Sequence, residues 1–156
     1  MTIAPTLEKY LASKNITYDV IMHEPTMSSN RTAQASGISG DQIAKAVVLR
    51  GGGGFILAVL PASHRIRLSD LENRLGSDVA LATEQEFQQL FEDCAQGAVP
   101  PAGECYGLEV IIDDSIETQP EMYLEGGDHT TLIHLTHAQF DRFMGTAWQG
   151  CFSVHT

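Results

Sequence analysis

Lys45 carries the most chemical information in this 156-residue sequence. It is the only lysine after Lys14, and it lies inside the apolar run Ile43–Leu49. In a strand, Lys45 shares one face with Val47 and Leu49. An ammonium on a core face is costly unless it is paired or opens into a pocket. The pattern predicts a ligand pocket at Lys45, or alternatively a strand-end lysine whose stem follows the surface while its head stays in water.

Two later segments could complete such a pocket. The loop Gly97–Gly103 contains two prolines that fix φ and two glycines that allow close backbone approach. A stiff loop of this kind can present N–H groups to a ligand oxygen, although an ordinary surface loop has the same composition. Gly127, Asp128 and His129 stand at a predicted hairpin tip, where the imidazole is either a ligand-binding group or a polar turn residue without a task.

Other chemistries find less support in the sequence. His23 and His64 follow strands, where binding residues often collect. A metal site built from His129, His134 and His137 is disfavoured because strand residues five apart point to opposite faces. Neither a phosphate-binding loop nor an aromatic base-stacking platform is present. The sequence therefore predicts no metal and no cofactor.

A thiol nucleophile is the remaining catalytic alternative. Cys94 or Cys105 would need a histidine base and oxyanion donors nearby, and nothing local in the sequence supplies them. The three cysteines, with Cys151, are widely spaced and odd in number. They therefore favour free thiols in a reducing compartment.

About seven short strands and four or five helices are expected to position these groups. Ser69, Thr83 with Glu86, and Thr136 are predicted helix caps, and Gly37, Gly76 and Gly145 are predicted helix ends. The sequence predicts one α+β domain over residues 1–156 that has a partly closed mixed sheet with helices packed outside. Residues 146–156 are assigned to a C-terminal tail. The expected helices cover 6–14, 29–36, 70–75, 84–91 and 137–144, and the expected strands cover 17–22, 44–50, 55–60, 79–82, 108–112, 122–125 and 130–135.

Charge and hydropathy restrict the partners. The net charge is −11, yet residues 1–75 hold eight Lys/Arg against six acids, whereas residues 76–156 hold Arg142 alone against fourteen acids. A DNA partner is not expected, and any RNA should meet the first half through few phosphate contacts. No apolar run approaches the ~20 residues of a membrane span, and the N-terminus lacks a signal-like segment. We therefore expect a cytoplasmic protein without membrane association.

Taken together, these segments resemble the YbaK family, also called the prolyl-tRNA synthetase-associated domain family. The resemblance covers roughly residues 5–145, and it rests on the order and spacing of several short motifs. In chain order they are His23–Thr26, a small helix with Ala33 and Ala35 that closes at Gly37, Ile43–Arg50, Val59–Leu71, Gly97–Pro101, and Gly127–His129 ahead of Leu132–Leu135.

The resemblance implies a deacylase that acts in trans on mischarged tRNA, with the 3′ acceptor end as its ligand and an aminoacyl-tRNA synthetase as a further partner. It implies that Lys45 holds the terminal nucleotide and the ester, and that water or the terminal 2′-hydroxyl does the base work. Lys45, Gly97 and His129 are the implied catalytic residues. The implied substrate-binding residues are His23, Thr26, Met27, Arg50, Ser63, His64, Arg65, Ala98, Val99, Pro100, Pro101, Gly127 and Asp128.

One departure concerns specificity. Gly127-Asp128-His129 stands where YbaK-type members tend to have an arginine-glycine pattern. This departure disfavours the cysteinyl-tRNA specificity of that type, and the chain looks closer to relatives that remove alanine, serine or similar small residues, in which His129 would help to shape the pocket. The function implied by the whole resemblance is removal of a small amino acid such as alanine, serine or cysteine, in some cases from tRNA-Pro. A non-catalytic module that binds a nucleotide, an amino acid or a synthetase in the same pocket is the alternative.

Overall fold

Ten strands and five helices make up the part of the chain, residues 3–156, that the computed structural model describes. The helices are α1 (Pro5–Ser13), α2 (Ser29–Ser36), α3 (Leu68–Leu75), α4 (Glu84–Leu90) and α5 (His137–Met144). The strands are β1 (Asp19–Met22), β2 (Ile43–Gly51), β3 (Gly54–Pro61), β4 (His64–Ile66), β5 (Val79–Leu81), β6 (Glu109–Asp113), β7 (Glu121–Glu125), β8 (Thr131–Thr136), β9 (Trp148–Gly150) and β10 (Ser153–His155).

The main sheet has eight strands. Seven follow the order β1-β8-β7-β2-β3-β6-β9, and β5 pairs with the C-terminal end of β2 at Leu49–Gly51. The pairs β2–β7, β3–β6 and β6–β9 are parallel, and the others are antiparallel. A second, two-stranded sheet joins β4 to β10. This arrangement confirms the predicted mixed α+β fold with helices outside.

The hairpin of β2 and β3 is the central pair of the sheet. Its turn uses Gly52 and Gly53 at φ values of 59° and 83°, which side chains other than glycine rarely adopt. The resulting register sets Lys45 opposite Leu60. The four-glycine run therefore fixes which residue of β3 stands opposite the lysine.

The helix ends follow local signals closely. Thr83 and Glu86 form the predicted capping box of α4, Thr136 caps α5, and Gly37 ends α2 in the left-handed conformation. The predicted cap at Ser69 is wrong, because α3 begins at Leu68, two residues before the predicted start at residue 70, and Arg67 at its N-cap makes no side-chain cap. The helix still ends at Gly76, as predicted.

Two apolar clusters lie on the two faces of the sheet. The larger one packs α1 and α5 against β3 through residues such as Leu7, Val59 and Phe143. The smaller one joins Leu60 to Leu71 of α3 and Phe152. Because successive strand residues alternate between faces, Val59 and Leu60 belong to different clusters. None of the helices described within residues 3–156 is long and apolar enough to cross a membrane.

Residues 146–156, assigned to a tail from the sequence, contain two strands in the structure. β9 pairs with β6, and β10 pairs with β4. Between them, the fully buried Phe152 donates its N–H to Asp113 Oδ1 at 2.9 Å and accepts from the Arg67 N–H at 2.6 Å. Strands of three residues are too short to give a recognisable alternation in sequence, which explains the difference.

We expect Phe152→Ala to lower the free energy of unfolding by about 3–5 kcal/mol, because it empties a fully buried aromatic site. Chemical denaturation checks this value. The neighbouring Cys151→Ser is the control, since Cys151 is exposed and should change stability by less than about 0.5 kcal/mol. A loss below about 1 kcal/mol for Phe152→Ala would contradict the packing of this segment.

Candidate functional site

A cavity of about 280 Å³ opens beside the central strand β2. Its walls come from the segment before α2 and the start of that helix, from β2, from the residues around the start of α4, from the loop at residues 97–99, and from the facing ends of β7 and β8. Six residues predicted to act in the site line this cavity: Thr26, Met27, Lys45, Gly97, Val99 and His129.

Lys45 forms one wall of the cavity. Its Nζ donates to the carbonyl oxygens of His64 at 2.5 Å and Ala62 at 3.5 Å. The ammonium is therefore held at the wall by backbone dipoles rather than standing free in water. Burial lowers the pKa of Lys45. Within the described chain no carboxylate lies within 4.0 Å of it, so its charge is available to an oxygen-rich ligand.

The glycine-proline loop contributes alternate residues to the cavity. Gly97, at φ 80°, and Val99 line it. Ala98, Pro100 and Pro101 are buried and are not among its lining residues. Ala98 donates its N–H to Ala95, whereas within residues 3–156 the N–H groups of Gly97 and Val99 donate to no backbone carbonyl. Two lining residues of the loop therefore keep N–H groups that no backbone carbonyl of the described residues accepts.

His129 joins this loop to the hairpin tip. The residue has a φ of 66°, and its Nε2 lies 2.6 Å from the Gln96 carbonyl oxygen. A carbonyl can only accept, so this contact assigns the proton to Nε2. Nδ1 then faces Glu125 Oε1 at 3.9 Å. The imidazole therefore bridges the loop and the end of β7 while it lines the cavity.

Gly127 and Asp128 shape the tip without lining the cavity. Asp128 Oδ1 accepts the N–H groups of Thr130 at 3.0 Å and Thr131 at 2.8 Å. Burial opposes ionisation of Asp128, but these hydrogen bonds outweigh it and keep the pKa of the carboxyl below its ordinary value. Gly127 has a φ of 108°, and a Cβ there would meet Ala4 Cβ at 3.0 Å.

Glu125 lines the cavity, and the sequence analysis did not identify it. Its Oε2 accepts the Gly127 N–H at 3.1 Å. Burial raises the pKa of Glu125, whereas the Gly127 N–H, His129 and His23 act in the opposite direction. In the sequence, Glu125 ends a predicted strand directly before two glycines. The same pattern occurs where a strand end faces solvent, so it does not indicate a site residue.

The remaining predicted residues lie outside the cavity lining. The exposed Arg50 is five residues from Lys45 on the same strand and pairs with Glu86 at 3.4 Å. His23 donates from Nδ1 to the Glu24 carbonyl oxygen at 2.7 Å, since a carbonyl can only accept.

The segment Ser63–Arg65 reaches the site only through its backbone. The carbonyl of His64 accepts from Lys45, while the ring Nδ1 of His64 lies 2.8 Å from Ser153 Oγ. Ser63 hydrogen-bonds Asp41, and Arg65 is exposed. The turn that contains these residues therefore supports the lysine from behind.

One group of three possible metal ligands occurs among the described residues, formed by Glu117, His137 and Asp141. Glu117 and Asp141 are exposed, His137 is partly exposed, and none of the three lines the cavity. The single histidine and single carboxylate that do line it, His129 and Glu125, fall short of the three protein ligands of a catalytic zinc.

Neither thiol considered as a nucleophile lines the cavity. Burial raises the pKa of Cys94 to about 11, and burial raises the pKa of Cys105 to about 12. Since the thiolate is the reactive form, both thiols are held in the unreactive state at neutral pH.

Comparison with known proteins gives one family. Residues 23–143 match the aminoacyl-tRNA editing domain family. The chain is also similar to a proline--tRNA ligase of Trichlorobacter lovleyi, at 31% identity over 112 residues. That match covers 70% of this chain and 19% of the ligase, so the chain spans about a fifth of this relative's length.

Solved structures with the same fold cover nearly the whole chain. A candidate trans-editing enzyme for prolyl tRNA synthetase has a TM-score of 0.83 at 24% identity, with 98% of this chain and 99% of that chain covered. A chain from computational epitope grafting on scaffold proteins has a TM-score of 0.84 at 23% identity, with 97% of each chain covered. At these identities the likeness concerns the fold alone.

The raised thiol pKa values predict selective labelling. At pH 8, 5,5′-dithiobis(2-nitrobenzoic acid) should react quickly with the exposed Cys151. Cys94 and Cys105 should react more slowly, by about 100-fold or more, because burial raises their pKa values to about 11 and about 12 and leaves little thiolate at pH 8. Release of thionitrobenzoate measures the three rates. In Cys151→Ser the fast phase should vanish, and a fast phase that persists would contradict the assignment.

Proposed function

Because the chain belongs to the aminoacyl-tRNA editing domain family, we propose that it is a deacylase that hydrolyses the ester of mischarged aminoacyl-tRNA in trans. One observation supports this most directly. Lys45, Gly97 and His129 come from three distant parts of the sequence and line the same cavity of about 280 Å³. A cation, free backbone N–H groups and an imidazole together suit an ester carbonyl whose oxygen becomes negative during hydrolysis.

Lys45 is proposed to hold the 3′-terminal nucleotide and the ester. Its ammonium already donates to the carbonyls of Ala62 and His64, and these contacts fix its position. A phosphate or ester oxygen arriving in the cavity would take a further N–H donor from the same group. Lys45 is thus a binding and electrostatic group in this proposal rather than a nucleophile.

The loop at residues 97–99 is proposed to stabilise the developing oxyanion. The N–H groups of Gly97 and Val99 have no backbone acceptor within residues 3–156. Water attacks the ester carbonyl carbon and gives up one proton as it adds. Collapse of the tetrahedral intermediate breaks the bond to the ribose oxygen, which takes up that proton and leaves as a hydroxyl, while the amino acid departs as a carboxylate and its remaining proton passes to solvent. An aminoacyl ester is already activated, so positioning and N–H donors suffice to accelerate this step.

The amino acid removed is proposed to be small, such as alanine, serine or cysteine. The cavity of about 280 Å³ has to take an aminoacyl group together with part of the terminal ribose. His129 fills part of the wall and is fixed from two sides by Gln96 and Glu125. The similarity to a proline--tRNA ligase supports tRNA-Pro as the carrier and a prolyl synthetase as the partner.

Contact with tRNA is proposed to be limited to the acceptor end. The net charge of −11 disfavours extended contact with a phosphate backbone. At the cavity mouth, Met27 and Leu81 expose 75% and 57% of their surface, which suits contact with the terminal base. Because charged tRNA is used in translation, this proposal includes a cytoplasmic location.

A non-catalytic binding module is the second candidate. The observation that favours it is that two backbone carbonyls already accept hydrogen bonds from the Lys45 ammonium. In that case the cavity would bind an aminoacyl-nucleotide without hydrolysing it. Loss of ligand affinity in a Lys45 variant, with no turnover in the wild type, would select this alternative.

We expect Lys45→Ala to lower the rate of deacylation by about 100-fold or more, because it removes the fixed cation from the cavity wall. Alanyl-, seryl-, threonyl- and cysteinyl-tRNA form the test panel, and loss of the labelled amino acid from tRNA measures the rate. The exposed Lys9 gives the matched control Lys9→Ala. If the wild type leaves every charged tRNA in the panel intact, the proposed activity is wrong.

We expect Gly97→Ala to lower deacylation by about 10-fold or more, because a φ of 80° costs an alanine about 1–2 kcal/mol and the loop relaxes away from the cavity. Gly107 has a φ of 75° and open space around it, and it does not line the cavity. Gly107→Ala therefore carries the same strain but should keep the deacylation rate. Equal activity losses in the two variants would show that Gly97 acts only through stability.

A further inference from the structure

Glu125 is the one carboxylate among the residues that line the cavity. It stands at the end of β7 opposite Leu132 of β8, which lines the cavity as well. Its side chain retains 20% exposure. One oxygen accepts the Gly127 N–H at 3.1 Å, and the other faces His129 Nδ1 at 3.9 Å. The carboxylate is therefore fixed in place and still reaches the cavity.

Lys45 and Glu125 come from adjacent strands and line the same cavity without pairing. The parallel register of β2 and β7 sets Ile43 beside Tyr123 and Ala44 beside Leu124, and Lys45 and Glu125 are the next residues on the two strands. The lysine nevertheless turns away, toward the carbonyls of Ala62 and His64. Within residues 3–156, the two charges form no ion pair. The cavity therefore has a positive side and a separate negative side.

The negative side lacks a full cationic partner. Burial raises the pKa of Glu125, and the Gly127 N–H and the nearby His129 offset this only in part. A cation entering the cavity would supply the missing partner and favour the ionised carboxylate. In an aminoacyl ester, an ammonium is bonded to the carbon next to the ester carbonyl. Such a ligand presents its cation one atom away from the group that Lys45 and the loop are proposed to bind.

We propose that Glu125 binds the α-ammonium of the aminoacyl group and selects esters with a free amine. This inference rests on the proposed deacylase function and adds a recognition residue to it. Peptidyl-tRNA and N-acylated aminoacyl-tRNA carry an uncharged amide nitrogen in place of the ammonium. They would leave the Glu125 carboxylate buried without a cation, which is unfavourable. The cavity would thus spare peptidyl-tRNA while it clears mischarged aminoacyl-tRNA.

The first test compares alanyl-tRNA with N-acetyl-alanyl-tRNA for the wild type, Glu125→Gln, Glu125→Asp and Lys45→Ala. Glutamine keeps the shape and an acceptor for the Gly127 N–H but removes the charge. We expect Glu125→Gln to lose about 10- to 100-fold on alanyl-tRNA only, because a hydrogen bond to a charged group is worth that factor. Glu125→Asp should recover part of the loss. Lys45→Ala should lower both rates.

A second measurement reads the ammonium site without turnover. The probes are the non-hydrolysable amide 3′-alanylamino-3′-deoxyadenosine and its N-acetyl derivative, each titrated by NMR. We expect the wild type to bind the free amine about 10-fold or more tightly than the acetylated probe, and Glu125→Gln to bind both equally.

The outcomes separate the two proposals. Equal binding of both probes by the wild type, or an equal loss on both esters in Glu125→Gln, would overturn the ammonium site. Selective probe binding without hydrolysis of any tRNA ester would support the ammonium site and overturn the deacylase. Circular dichroism and denaturation of Glu125→Gln establish that the variant is folded when these comparisons are made.

Discussion

The site depends on one partly buried interaction, the pair of hydrogen bonds from the Lys45 ammonium to the carbonyls of Ala62 and His64. Their position follows from the glycine turn, because the register that it sets brings the end of β3 beside Lys45. The residues that follow β3 are held by β10 and the residue after it. The Ser153 hydroxyl hydrogen-bonds the His64 ring, and Thr156 donates its N–H to the Ser63 carbonyl. Ser153 and Thr156 therefore help to position the charge of Lys45, which lies far earlier in the sequence.

Local signals explain how much of the fold could be predicted. The glycine turn, the capping boxes at Thr83 and Thr136, and the left-handed Gly37 depend on neighbouring residues, and each appears in the structure. Ser69 is a typical cap residue and therefore predicts a helix start at residue 70. In the structure Leu68 is already helical, so Ser69 lies inside α3 rather than at its cap. The strands at residues 148–155 depend on partners far along the chain, and no local pattern reveals such pairing.

The same distinction applies to the site. Lys45 stood out because a lone ammonium in an apolar strand is unusual, whereas Glu125 at a strand end is ordinary in sequence. The parallel pairing of β2 with β7, which ends just before these two residues, brings both of them to the same cavity. Arg50 illustrates the opposite case, since it shares a strand with Lys45 but turns to Glu86. Residue type therefore indicated the cation, while the anionic side of the cavity needed the tertiary pairing.

A site without a nucleophile has to rely on preorganisation, and the hairpin tip shows how the fold supplies it. His129 occupies the left-handed region at φ 66°, which costs a residue with a side chain about 1–2 kcal/mol. The Asp128 turn, the Gln96 carbonyl and Glu125 each hold one part of this tip. Because Gln96 directly precedes Gly97, the imidazole also fixes the start of the loop that carries the free N–H donors. The strain at His129 is thus balanced by contacts that set the cavity before any ligand arrives, so that an activated ester meets dipoles that need not reorganise.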